Sequence, residues 1–170
     1  MKKGTKLILA ALVMMVSASG AYAQATATAT ATATIVTPIS IIKTVDMNFG
    51  NVAVQTATAG TAVLTPAGSR TSTGGVTLPA TAGTVTAASF TVNGQGAYTY
   101  AITLPSTALT ITSGVNTMTV NAFTSTPSAT GALTAGTQTL TVGATLNVAA
   151  AQAPGVYVSG TPFSVTVNYN

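Results

Sequence analysis

The sequence predicts an all-β chain: an immunoglobulin-like antiparallel β-sandwich preceded by an extended, donor-type N-terminal strand. Three observations carry this. Apolar residues recur at every second position in one segment after another, the signature of strands with one buried face. The segments are short, regularly spaced and cut by Gly and Pro, as in sandwiches and barrels. Val, Thr and Ile are abundant, and no apolar repeat has a helical period. Small and β-branched inward residues favour two sheets packed about 10 Å apart over a barrel.

The first residues stand outside the folded object. Lys2, Lys3 and Lys6 precede an apolar run over residues 7–16, and Ala21-Tyr22-Ala23 is an A-x-A cleavage site before Gln24. This reads as a secretory signal peptide over residues 1–23, with the mature chain exported through the periplasm. The apolar run is too short to span a bilayer, and no later one is long enough. Three of the five basic residues leave with the signal. The mature chain keeps Lys43 and Arg70 against Asp46. Two basic side chains cannot track a phosphate backbone, which excludes nucleic acid as a partner.

Residues 24–42 are the most regular stretch. Ala25, Ala27, Ala29, Ala31 and Ala33 alternate with Thr26, Thr28, Thr30, Thr32 and Thr34. The odd register continues through Ile35, Thr37, Ile39 and Ile41. Threonine at every second position argues against a helix despite the alanines, because its branched Cβ is stiff there. A strand of this length needs a groove or a sheet edge to lie in. We take residues 24–37 as an N-terminal extension and 38–170 as one sandwich domain.

The remaining elements follow in order. Met47 and Phe49 share a parity before a Gly50-Asn51 turn or bulge. Residues 61–65 read as a strand closed by Pro66-Ala67-Gly68, and Thr73-Gly74-Gly75 as a turn into residues 76–78. Ala88, Phe90 and Val92 share a face, and Asn93-Gly94 then predicts a tight hairpin into Tyr98, Tyr100, Ile102 and Leu104. Residues 109–111 and 118–123 flank Ser113-Gly114, and residues 124–136 read as a Ser/Thr/Pro/Gly loop. Gly143 is a bulge between residues 140–142 and 144–148. After Ala153-Pro154-Gly155, the final strand places Phe163, Val165, Val167 and Tyr169 on one face.

Chemistry is scarce. The chain has no His and no Cys. Asp46 is its one side-chain carboxylate. No catalytic triad, paired carboxylate or metal-ligand set can be built from these residues, so neither an enzyme nor a cofactor is expected. Lys43, Asp46 and an asparagine such as Asn168 could form an isopeptide bond; the favoured reading is a solvated Lys43–Asp46 pair. Tyr157 suits a packing role like that of a tyrosine corner. Tyr98 and Tyr100 suit core or subunit contact better than a sugar platform.

Asn48-Phe49-Gly50, Val142-Gly143-Ala144-Thr145-Leu146, and Pro154-Gly155-Val156-Tyr157 leading to Phe163-Ser164-Val165-Thr166-Val167-Asn168-Tyr169 resemble a secreted bacterial domain family of unknown function. More loosely, the alternating first strand and the terminal strand after Gly-x-Tyr resemble archaic chaperone–usher and spore-coat-U-like pilins. That likeness implies an incomplete sandwich completed by a neighbour's N-terminal strand. Ala25, Ala27, Ala29, Ala31, Ala33 and Ile35 would then be the donor residues. Phe163, Val165, Val167 and Tyr169 would line the acceptor groove. It further implies a homopolymeric extracellular fibre or pilus, a periplasmic chaperone and an outer-membrane usher, and a part in adhesion and biofilm. Many such pilins carry a disulfide; this chain cannot. The alternative is a monomeric secreted sandwich binding a carbohydrate or surface ligand through its loops.

Overall fold

The computed structural model describes residues 23–170, so the signal-peptide reading lies almost wholly outside the described residues. Residues 23–35 form no strand and are exposed. Residues 36–170 form a separate unit, an all-β antiparallel sandwich.

Thirteen strands build it. In chain order these are β1 (Ser40–Val45), β2 (Ala53–Val54), β3 (Gly60–Leu64), β4 (Arg70–Gly74) and β5 (Val76–Thr77). There follow β6 (Ala88–Asn93), β7 (Thr99–Thr103), β8 (Leu109–Ser113) and β9 (Asn116–Thr126). The last are β10 (Thr130–Ala132), β11 (Thr137–Val148), β12 (Val158–Ser159) and β13 (Thr166–Tyr169).

One layer is a large sheet in the order β1-β6-β11-β9-β8-β12, with β3 and then β4 added beside β11. Strand β11 is its axis. One flank pairs with β9, so β6 and β3 share the other flank end to end. Two short sheets, β10-β7-β13 and β2-β5, complete the domain.

The even residues of β11 face inward. Leu140 and Val142 pack with Ala88, Val92, Tyr100, Leu133 and Val167 to form one core cluster. Ala144, Leu146 and Val148 pack with Ala62, Val76 and Val120 to form a second. Between the halves lies the bulge expected at Gly143, where the register against β9 shifts. A Cβ there would sit 2.2 Å from the Leu64 carbonyl oxygen, so the close approach of β3 requires glycine.

Other expectations are met locally. The β8–β9 hairpin closes with Ser113 opposite Asn116, and Gly114 has φ +59°. The turn after β3 is closed by hydrogen bonds between Thr65 and Ser69. The Asn48-Phe49-Gly50 turn is held by Asn48 Oδ1, which accepts from Gly50 N at 2.8 Å. Arg70 clamps the same turn, donating to the carbonyls of Phe49 and Asn51. Tyr157 Oη donates to the Ala153 carbonyl at 2.7 Å, the upstream bond expected of a tyrosine corner.

Three readings need correction. Asn93-Gly94 does not turn a tight hairpin: β6 belongs to the large sheet and β7 to the other layer, so the chain crosses between layers here. The crossing is set by Tyr169, whose hydroxyl accepts from Gln95 N and fills the space beside Gly94. Residues 124–136 are not all loop: β9 runs to Thr126, and β10 adds a third strand beside β7. Strand β4 was missed. It pairs with β3 but contains no apolar side chain.

Candidate assembly interface

Strand β13 is an edge of its sheet, paired to β7 alone. Its backbone parity can be read from its neighbours. Even residues of β7 bond towards β10: Leu133 N donates to Tyr98 O, and Ile102 N to Ala129 O. Odd residues of β7 therefore bond towards β13, as Asn170 N does to Thr99 O. Alternation in an antiparallel ladder gives those bonds to Thr166, Asn168 and Asn170. The N–H and C=O groups of Val167 and Tyr169 thus face the open edge. Native edges are commonly blunted by charge, proline or a bulge. The Thr166–Tyr169 strand has none of these.

Side chains of the same parity point between the layers. Val167 is buried, while Phe163, Val165 and Tyr169 are half-buried against the first core cluster. Phe163 and Val165 precede the strand proper, so the final strand is shorter than its alternation implied. Phe163 packs on Phe90 at 6.4 Å and on Phe123 at 5.1 Å between ring centroids. Across from β13, the other layer ends in its own edge strand, β1, which contacts β13. Ile39 and Ile41 on that side are half-buried too. The flank of the sandwich between β1 and β13 is therefore lined by large apolar side chains that their own chain covers only in part.

One end of this flank is latched. At the latched end, Tyr169 Oη donates to Thr37 O at 2.8 Å and accepts from Gln95 N at 2.5 Å. Gln95 Oε1 in turn accepts from Thr37 N at 3.2 Å. Tyr98, 43% exposed, packs edge-on to Tyr169 at 5.5 Å. Beside the start of β13, on its β7 side, the loop of residues 103–109 and Pro162, Phe163, Ser164 and Thr166 line a hollow of about 380 Å³.

The sequence-predicted acceptor residues, Phe163, Val165, Val167 and Tyr169, thus lie together on one open edge. The predicted donor residues Ala25, Ala27, Ala29, Ala31, Ala33 and Ile35 are all exposed and in no ladder, Ile35 at 97%. Sequence reading missed Phe90, Phe123 and Leu104 as parts of the flank. It also missed the latch on Thr37. Each depends on a contact between distant segments.

Among the described residues no three His, Cys, Asp or Glu side chains gather to hold a metal ion. Lys43 and Asp46 form an exposed ion pair at 2.7 Å. Tyr100 is fully enclosed and donates to Gln138 Oε1 at 2.8 Å. Burial raises its pKa above the usual tyrosine value. Unlike Tyr98, it is core.

Compared with known families, residues 39–169 match one described as a domain of unknown function, DUF4402. Comparisons with curated proteins and with solved structures return no match.

Proposed function

The chain belongs to the DUF4402 family of domains of unknown function, and for this member of it we propose a structural role: the repeating subunit of an extracellular fibre. Subunits join when the Ala-Thr strand of one copy adds to the open edge of β13 in the next. The observation that carries this reading is the pairing of two incomplete parts. One is an uncharged edge with free backbone groups over half-covered apolar side chains. The other is an exposed segment of strand-like alternation with no ladder of its own. Strand addition satisfies the backbone of both and buries alternate side chains.

Composition supports the same reading. Asp46, Lys43 and Arg70 are the charged side chains of the described residues, so stacked subunits meet little like-charge repulsion. Few lysines and arginines leave few sites for trypsin-like proteases. The apparent signal peptide fits export, and the likeness to chaperone–usher pilins fits an assembly line of chaperone and usher.

Electron microscopy of sheared surface material tests the proposal. Fibres containing this chain are expected, and deleting residues 24–34 is expected to abolish them while the domain is still exported. Fibres of normal length from the deletion variant, or only soluble monomer from the parent chain, would reject it.

A further inference from the structure

The large sheet carries an open edge of its own on strand β4, which pairs with β3 alone. The backbone parity of β4 is fixed at both ends of the ladder. Thr65 N donates to Ser69 O before the strand, and Gly75 N donates to Ala59 O after it. Odd residues of β4 therefore bond to β3. Alternation turns the N–H and C=O groups of Arg70, Ser72 and Gly74 to the open side.

Sheet edges are commonly blunted by charge, proline, a bulge or shortness. The other two edges of this sheet are. Strand β1 follows Pro38, shifts register between Lys43 and Val45, and carries the exposed Lys43–Asp46 pair. Strand β12 is two residues long. Strand β4 has no proline and holds one unbroken register over its five residues, four of them exposed. Its one charge, on Arg70, is engaged within the domain, where the guanidinium donates to the carbonyls of Phe49 and Asn51.

The sequence of this edge is complementary to itself. Arg70-Thr71-Ser72-Thr73-Gly74 reads nearly alike in both directions about Ser72. With β4 of a second copy laid antiparallel and Ser72 opposite Ser72, edge-facing residues meet only edge-facing residues. Arg70 of each copy stands opposite Gly74 of the other, so the cation meets a residue without a side chain and never its own counterpart. Between these hydrogen-bonded pairs, Thr71 of each copy stands opposite Thr73 of the other at the closer, non-hydrogen-bonded spacing. Hydroxyls on this face already meet across β3 and β4, Thr61 with Thr73 at 2.7 Å, and such cross-strand threonine pairs are stabilising. A slip of one residue would set edge-facing groups against groups already bonded to β3. A slip of two would remove both Thr71–Thr73 pairs.

We infer that the β4 edge is an isologous interface, at which two copies of the chain join their large sheets about a two-fold axis through Ser72. Strand addition at β13 concerns a different sheet, so this inference does not rest on it. A two-fold contact closes on itself and cannot extend a polymer. In fibres it would tie filaments side by side.

The absence of cysteine makes engineered thiols a clean test. In the inferred register Thr71 and Thr73 of opposite copies have Cα atoms about 4.5 Å apart, within disulfide reach. The two Thr71 positions are diagonal, about 7–8 Å apart, and outside it. Full-length mature chains carrying Thr71→Cys and Thr73→Cys separately are mixed, mildly oxidised, denatured and run without reductant. The mixture is expected to give several-fold more disulfide-linked dimer than either variant alone. Adding Ser72→Lys to both chains sets like charges opposite each other at the axis and should cut linkage to the level of the single variants. Ser72 is exposed and its backbone does not bond to β3, so the melting temperature should not change. Pairing a Ser72→Lys chain with a Ser72→Glu chain should restore the linkage. Equal yields from the mixture and from single variants, no linked dimer, or linkage undiminished by Ser72→Lys in both chains overturns the inference.

Discussion

The phenol of Tyr169 and the carbonyl of Thr37, 132 residues apart, share a 2.8 Å hydrogen bond that ties the start of the domain to its last strand. Its oxygen also accepts from Gln95 N, so one hydroxyl joins β13, the crossover between the layers and the segment entering β1. No main-chain ladder joins β1 to β13, which lie in different sheets.

Tyr169→Phe keeps the ring against Tyr98 and removes both bonds. Each contributes about 0.5–1.5 kcal/mol net, so a loss of about 1–3 kcal/mol is expected. The urea midpoint should fall with the slope unchanged. Amides near Thr37 should exchange faster than those of β11. An unchanged midpoint would mean that the latch adds nothing to stability.

Gly143→Ala should destabilise by about 1–3 kcal/mol through overpacking, because the new methyl meets the Leu64 carbonyl and the Thr65 carbonyl carbon. Gly160→Ala is the control: nothing lies within 4 Å of its added Cβ. Equal melting temperatures for the two variants would show that β3 can retreat from β11 at no cost.

The reach of the sequence is clearest where packing is local. The β8–β9 hairpin was legible because Leu109, Ile111 and Val120 alternate around Ser113-Gly114. The Gly143 bulge was legible because apolar alternation continues on both sides of it. Strand β4 was not, since Arg-Thr-Ser-Thr-Gly pairs through its backbone and buries no apolar side chain. Strand β10 was hidden for a related reason: its buried residue is Gly131, kept free of a side chain by the ring of Tyr100. Asn93-Gly94 carries a turn signal but no information on which layer receives the next strand. Odd parity grouped Phe163, Val165, Val167 and Tyr169, which all pack with the first core cluster. Phe90 and Phe123 join them only through ring contacts across the sheet, which leave no periodic trace.

Stability should be nearly flat from pH 5 to 8. The chain has no histidine and one side-chain carboxylate, Asp46, in an exposed pair with Lys43 of the kind that contributes about 0–1 kcal/mol. The alkaline side should differ. Tyr100 is raised by burial, so the folded state holds its proton where the unfolded state releases it. That stabilisation is complete below the unfolded value of about 10 and is lost as pH rises through the higher folded value. Melting temperature should therefore fall above about pH 10. Tyr100→Phe should lower stability at neutral pH through the lost bond to Gln138 and flatten the alkaline decline. An equally steep decline in that variant would place the alkaline-sensitive group elsewhere.

Ile35→Asp is the substitution that separates folding from assembly. Ile35 is 97% exposed and lies in the unit preceding the sandwich, so the variant should fold, melt and be exported like the parent chain. In the fibre the same side chain is proposed to be buried on the half-covered apolar flank of a neighbouring subunit, where burial contributes about 1.5–3 kcal/mol per junction. A carboxylate there adds a desolvation cost of several kcal/mol unless it is protonated or stays in water. The two effects act at every junction, so fibres should be absent or short, and any that form should dissociate at lower denaturant. Amide exchange gives a second readout. Residues 25–34 should exchange rapidly in monomer of either chain and slowly in parent fibres alone. Fibres of parental length and stability from Ile35→Asp would show that this side chain is not seated between subunits, and slow exchange of residues 25–34 in a proven monomer would show that the strand completes its own domain.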